Sequence, residues 1–296
     1  MKKLYIPFLL LVVLLTACTP TSTETQGNIQ KEKPKQEKPK AQSSDVLKVY
    51  YLDVGQGDST LIRTPKGQHV LIDGGDNSQG ENVVKYLKQY GVKQLDAVIA
   101  THPDADHIGG LDTVLNAIPA KSVYAPRVSH TTKTYEDFLL AVKKQKLKIK
   151  SAKAGGELPL DGVKAEFLAP VGDYGKDLNA WSAVLKVTYK NTSYLFSGDA
   201  ERKSETDMVN SGANLKADVY KVGHHGSDTS TSAEFLKAIH PTYAVISVGK
   251  DNKYNHPKDV IMKRLKKANV KVFRTDKEGT VISISDGKSI SFEKAR

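Results

Sequence analysis

From residue 45 onward, short apolar runs bounded by Gly, Pro and Asp alternate with segments whose apolar residues recur every three or four positions. Leu47 to Val54, Ser59 to Arg63 and His69 to Ile72 read as strands of an antiparallel meander. Val83, Val84, Leu87 and Tyr90 fall at helical spacing and predict a helix over Gly80 to Tyr90, after which Leu95 to Ala100 returns to a short buried strand. Helices are expected at Ile108 to Ile118 and Tyr135 to Lys146, and strands at Ser122 to Ala125 and Val163 to Leu168. Val184 to Tyr189 and Ser193 to Ser197 form a hairpin turning at Lys190-Asn191-Thr192. The last third repeats the alternation, with strands at Ala217 to Val222 and Tyr243 to Val248 and helices near Ala233 to Ala238 and Lys258 to Ala268. Strands at Val270 to Phe273, Thr280 to Ser285 and Ser289 to Phe292 close the chain. Strands grouped at the start of each half, with helices interspersed, predict an α/β (α+β) fold of two mixed sheets with helices outside.

The first 44 residues obey different rules. Lys2 and Lys3 precede an apolar run from Leu4 to Leu15 and then Leu15-Thr16-Ala17-Cys18. That run is short for a bilayer span but fits the apolar stretch of a secretory signal, and its end resembles a bacterial lipobox. Residues 1–18 are therefore expected to be a lipoprotein signal peptide, with Cys18 lipidated to hold the protein on the extracytoplasmic face of the cell membrane. Residues 19–44 carry almost no large apolar side chains and repeat a Lys/Glu/Pro/Gln theme, which predicts a disordered linker. The folded domain is expected over residues 45–296.

Charge and composition narrow the chemistry. The chain has 44 Lys plus Arg against 33 Asp plus Glu, a formal net charge of +11, so polyanions are the natural partners and no protein partner is expected. The basic clusters Lys143-Lys144-Lys146-Lys148-Lys150 and Lys263-Arg264-Lys266-Lys267 fit a phosphate backbone, or simply solvated helix faces. The single Cys excludes a disulfide framework and any Cys-based zinc cluster, leaving His, Asp and Glu as metal ligands.

Those ligand types concentrate in three places. His102-Pro103-Asp104-Ala105-Asp106-His107 puts four candidate ligands on one loop at the C-terminal end of a predicted strand. Phe196-Ser197-Gly198-Asp199 ends a second strand with a carboxylate able to bridge two ions, and Gly223-His224-His225-Gly226-Ser227 ends a third with paired imidazoles. Three such loops converging predict a binuclear site.

With these motifs the chain resembles the metallo-β-lactamase superfamily, and within it the extracytoplasmic hydrolase domain of ComEC-type competence proteins. The resemblance rests also on Asp53-Val54-Gly55-Gln56-Gly57-Asp58, Leu71-Ile72-Asp73-Gly74-Gly75, Asn179 with Ser182, Asn255-His256-Pro257 and Arg274-Thr275-Asp276, and spans about residues 46–292. It implies a four-layer αββα sandwich with two divalent ions where the sheets meet. It places His102 and Asp104 on one ion and Asp106 and His107 on the other, with Asp199 bridging and His224 or His225 completing a shell. Two departures stand out: Asp104 takes the place of the usual second His, and no His lies between residues 131 and 198 to supply the usual middle ligand. A carboxylate there makes the site harder, which admits Mn²⁺ beside Zn²⁺, and Asn179 is expected near the more open ion.

The resemblance further implies that Asp73 anchors the site from beneath and that the chain works on DNA. The expected reaction is phosphodiester hydrolysis by a metal-activated hydroxide, with Asp106 orienting it and His256 meeting a phosphate or leaving oxygen. Asn179, Ser182 and Ser227 are expected to contact the substrate. Two other readings remain open: hydrolysis of a wall phosphorylcholine or teichoic acid linkage, and a DNA-binding lipoprotein that turns nothing over.

Overall fold

In a computed structural model the described residues are Leu4 and 45–296, so the signal, Cys18 and the linker lie outside them. The chain divides into two units, residues 1–41 and 42–296, and both sheets belong to the second.

β1 (Leu47–Tyr51), β2 (Thr60–Arg63) and β3 (His69–Ile72) form the expected antiparallel meander. β4 (Ala97–Ile99), β5 (Val123–Ala125) and β6 (Ile149–Ser151) continue it in parallel, while β13 (Val281–Ser285) and β14 (Ile290–Lys294) extend the other edge. The resulting eight-stranded sheet has the order β14-β13-β1-β2-β3-β4-β5-β6. A six-stranded sheet in the order β12-β11-β10-β9-β8-β7 comprises β7 (Lys164–Ala169), β8 (Val184–Tyr189), β9 (Thr192–Phe196), β10 (Val219–Lys221), β11 (Tyr243–Ile246) and β12 (Lys271–Arg274).

Alternation along the strands sorts side chains between layers. Val70 and Ile72 enter the core between the sheets, whereas Leu71 packs outward beneath α1 (Gly80–Gln89), α3 (Leu111–Ala117) and α4 (Lys133–Lys144). In the other sheet Tyr194 and Phe196 point inward, and Leu195 joins the layer under α5 (Arg202–Asn210), α6 (Ala233–Ile239) and α7 (Asp259–Lys267). Strands covered on both faces must be apolar on both, which is why the central ones read as near-continuous hydrophobic runs. Each buried Leu, Ile or Phe stabilises this four-layer αββα sandwich by roughly 1.5–3 kcal/mol.

Local chemistry fixes the helix starts. The Thr132 side chain accepts from Tyr135 N at the head of α4, and Ser232 accepts from Phe235 N at the head of α6. Three elements differ from expectation. The helix expected over Ile108 to Ile118 is divided at Gly109-Gly110 into α2 (Ala105–Ile108) and α3, and these two residues pack so closely against Asn77, Gly74 and Gly80 that a Cβ has no room. α5 and β6 were not expected. Only Ser204, Glu205 and Met208 are buried in α5, and two of the three residues of β6 are exposed, so neither carries an apolar period.

Candidate metal centre

The chemistry-bearing loops all leave the C-terminal ends of neighbouring strands: Asp73 follows β3, Thr101 to His107 follow β4, Asp199 follows β9, and His224 and His225 follow β10. Parallel pairing of β3 with β4 and of β9 with β10 puts each pair of loops at the same end of its sheet.

Hydrogen bonds fix how the imidazoles present themselves. Asp73, fully buried, accepts Thr101 N at 2.8 Å on one oxygen and the Thr101 hydroxyl at 2.7 Å on the other. His107 Nδ1 donates to that second oxygen at 2.9 Å, so its Nε2 faces Asp199 Oδ1, 3.2 Å away. Since the Thr101 hydroxyl proton goes to Asp73, its oxygen accepts from His102 Nδ1 at 3.1 Å. His225 Nδ1 donates to Ser247 O at 2.9 Å, which aims Nε2 at Asp106 Oδ2 (3.3 Å) and Asp199 Oδ2 (3.5 Å). Three imidazoles thus present Nε2 inward, each with its other nitrogen engaged, as in histidine metal sites.

Two donor groups overlap here, His102 with His107 and Asp199, and Asp106 with His107 and His225, each with its donor atoms within 4.8 Å of one another. Among the described residues, buried side-chain N and O atoms without a hydrogen bond include His102 Nε2, His107 Nε2, His225 Nε2 and Asp199 Oδ1. Buried polar atoms are rarely left unpaired, and four converging on one point fit a divalent cation. In the protein alone, protons play the cation's part. Burial opposes charge on His225, but Asp199 and Asp58 outweigh it and push its pKa up to about 10. Burial is likewise outweighed at His107, which Asp199 and Asp73 hold well above the ordinary imidazole range, while the same imidazoles hold Asp199 well below the ordinary carboxylate range.

The remaining expected residues fall as follows. Asp104 lies at the open side with its carboxylate 3.5 Å from His102 Nε2, outside both donor groups. His225, not His224, enters the group with Asp106 and His107; His224 is partly exposed, its Nδ1 held by Glu201 at 2.8 Å and its Nε2 3.7 Å from Asp199 Oδ2. Asn179 also donates to Glu201, at 3.2 Å. Ser182, expected to contact substrate, is instead fully buried, and its hydroxyl accepts Asp199 N at 3.1 Å, so it supports the carboxylate. Ser227 is nearly buried too, and its hydroxyl meets Thr229 at 2.9 Å. His256 stands with its ring 5.6 Å from that of His224; burial and the neighbouring imidazoles of His224 and His225 lower its pKa to about 4.

Two functional supports were missed from sequence. Asp58 and Lys221 form a buried ion pair at 2.8 Å, with Asp58 Oδ1 3.3 Å from His225 Nδ1. A lysine closing an otherwise apolar strand just before the paired histidines was the available signal. Glu201, two residues after Asp199, was the other.

Helices outside two sheets, with a His/Asp cluster at the strand ends, are the architecture of a metal-binding αββα protein, and this chain belongs to the metallo-beta-lactamase superfamily, whose profile matches residues 52–250. Within that family it is similar to ComE operon protein 3 of Bacillus subtilis, 35% identical over 247 residues that cover 78% of this chain and 32% of that protein. It is also similar to Competence protein ComA of Neisseria gonorrhoeae, 34% identical over 246 residues, 82% of this chain and 33% of that protein. The chain therefore spans about a third of the length of these relatives. Among solved structures, the metallo-beta-lactamase fold protein YhfI from Bacillus subtilis superposes with a TM-score of 0.54 at 14% identity, over 81% of this chain and all of that one, a likeness of fold. Among the described residues no helix is long and apolar enough to cross a membrane.

Proposed function

We propose that this chain is a metal-dependent phosphodiesterase that cleaves DNA, held on the extracytoplasmic face of a membrane through lipidated Cys18. The observation that carries the reading is the set of inward Nε2 and carboxylate donors around Asp199, in a chain whose family profile spans residues 52–250 and whose competence-protein relatives align with about four-fifths of it. His102, His107, Asp106, Asp199 and His225 would hold two divalent ions, Zn²⁺ or Mn²⁺, with Asp104 available at the open side. Bound there, such ions lower the pKa of water and neutralise phosphate charge.

The chain's own residues set the geometry. Asp73 and Ser247 O fix the rings of His107 and His225. The Asp58–Lys221 pair braces His225 from beneath, and Ser182 holds the backbone of Asp199. His224, oriented by Glu201, presents Nε2 beside Asp199 where a phosphoryl oxygen would lie.

The test is incubation of the full chain with end-labelled single- and double-stranded DNA, and separately with phosphorylcholine- and teichoic-acid-bearing wall, in Mn²⁺, Zn²⁺ or chelator. Metal-dependent shortening of DNA supports the reading. Release from wall polymer alone would replace it with the wall phosphodiesterase, and DNA binding that survives chelation without cleavage in any metal would replace it with a receptor.

A further inference from the structure

Beside His224 runs the loop 249–258, between β11 and α7, and it is braced into one shape. Asn252 Nδ2 donates to Gly249 O at 2.9 Å and to His256 O at 2.8 Å, while its Oδ1 accepts His256 N at 3.0 Å. At the base of the loop Gly249 N donates to Gln56 Oε1 at 3.1 Å, and a Cβ on Gly249 would lie 2.7 Å from Gln56 N. The loop is thereby seated on the segment that leads into Asp58.

This bracing lines up aromatic rings from the metal cluster outward. His224 lies 6.1 Å from His225, His256 lies 5.6 Å from His224, and Tyr254 stacks on His256 at 5.6 Å with 24° between the planes. Tyr254 is 47% exposed, a large ring held in place by a neighbour yet open to solvent. Two ammonium groups lie at this residue, and the loop also carries exposed Lys250 and Asp251. Lys253 Nζ sits 5.1 Å from the Tyr254 ring centroid, and Lys258 Nζ donates to Tyr254 O at 2.8 Å.

An exposed, pre-oriented ring among lysines beside a phosphodiester site has the chemistry of single-strand recognition. Bases stack on aromatic side chains whatever their sequence, and the backbone phosphates meet the ammonium groups. The Lys253 stem is long enough for its ammonium to turn from the ring to a phosphate. A polyol-phosphate chain lacks a flat π-face and gains nothing from Tyr254. We propose that Tyr254, backed by His256, is a stacking platform for an unpaired nucleobase next to the phosphate being cleaved, which makes single-stranded nucleic acid the preferred substrate. The proposal rests on the phosphodiesterase reading above.

The test measures binding of the metal-loaded full chain to two labelled phosphorothioate strands of equal length, decathymidylate and a decamer of abasic residues. The native protein is expected to favour the base-bearing strand by about tenfold. Tyr254→Ala should bring that ratio close to one, and Tyr254→Trp should preserve it. An unchanged ratio in Tyr254→Ala would overturn the platform and leave the nuclease reading standing. Failure of the native protein to bind either strand would overturn the nucleic-acid reading and the platform with it.

Discussion

Asp73 shows how much one side chain decides at this site. It receives Thr101 N, the Thr101 hydroxyl and His107 Nδ1, and so sets the presentation of His107 directly and of His102 through Thr101. Loss of such a partner usually lowers metal affinity 10–100-fold. Asp73→Ala should weaken metal binding by about that factor in competition with a chromogenic chelator. Affinity equal to native would mean that the rings are held by other means. Asp58 and Lys221 make a second prediction. Removing one partner of a buried ion pair strands the other charge, at a cost of about 3–5 kcal/mol. Lys221→Met should therefore lose that much stability in urea denaturation, and Asp58→Asn combined with Lys221→Met should regain most of it. Simple additivity of the two single losses would contradict the pairing.

At the level of elements, close backbone contact does the positioning. Asp58 N donates to Asp106 O at 3.1 Å, joining the β1–β2 loop to α2, and a Cβ on Gly57 would fall 2.4 Å from that same Asp106 O. Gly57 also has φ +142°, which disfavours any side chain. Gly57→Ala should push the two loops apart, costing about 1–3 kcal/mol in thermal denaturation with a parallel loss of metal affinity. A variant with native Tm and native metal affinity would show that the contact is dispensable.

The elements legible in the sequence are those whose packing leaves a period. β3, β4, β9 and β10 are mostly apolar and buried on both faces, and α1 and α7 bury one side only, so each stood out. α5 escaped because its buried residues include Ser204 and Glu205, and Glu205 accepts the backbone N–H groups of Thr231 and Ser232, a contact that no local pattern announces. β6 escaped because an edge strand is marked by lysines, which here read as a charge cluster.

Across the whole molecule, the ligand loops were visible because metal ligands are scarce residue types grouped at strand ends. Their supports were not, because Asp58 meets Lys221 from 163 positions away in the chain, and only folding brings them together. The basic clusters also take their meaning from the fold. Lys143 and Lys144 end α4, and Lys150 lies in β6, on the eight-stranded side. Lys263, Lys266 and Lys267 lie on α7, which covers the six-stranded sheet. They occupy different layers of the sandwich and do not form one track, and Arg264 is already engaged with Thr231 O. The lysines that the proposed nucleic-acid contact calls on are those of the loop 249–258.

His107 belongs both to the group with His102 and Asp199 and to the group with Asp106 and His225, so removing it depletes each of them of a buried donor. The decisive measurement is metal content by mass spectrometry together with DNA cleavage, for the full native chain and for His107→Ala, with circular dichroism on both. A working binuclear centre predicts two divalent ions and metal-dependent cleavage in the native protein, with ions and cleavage lost in a variant whose fold is unchanged. A folded His107→Ala protein that keeps its metal and cuts DNA at the native rate would contradict it.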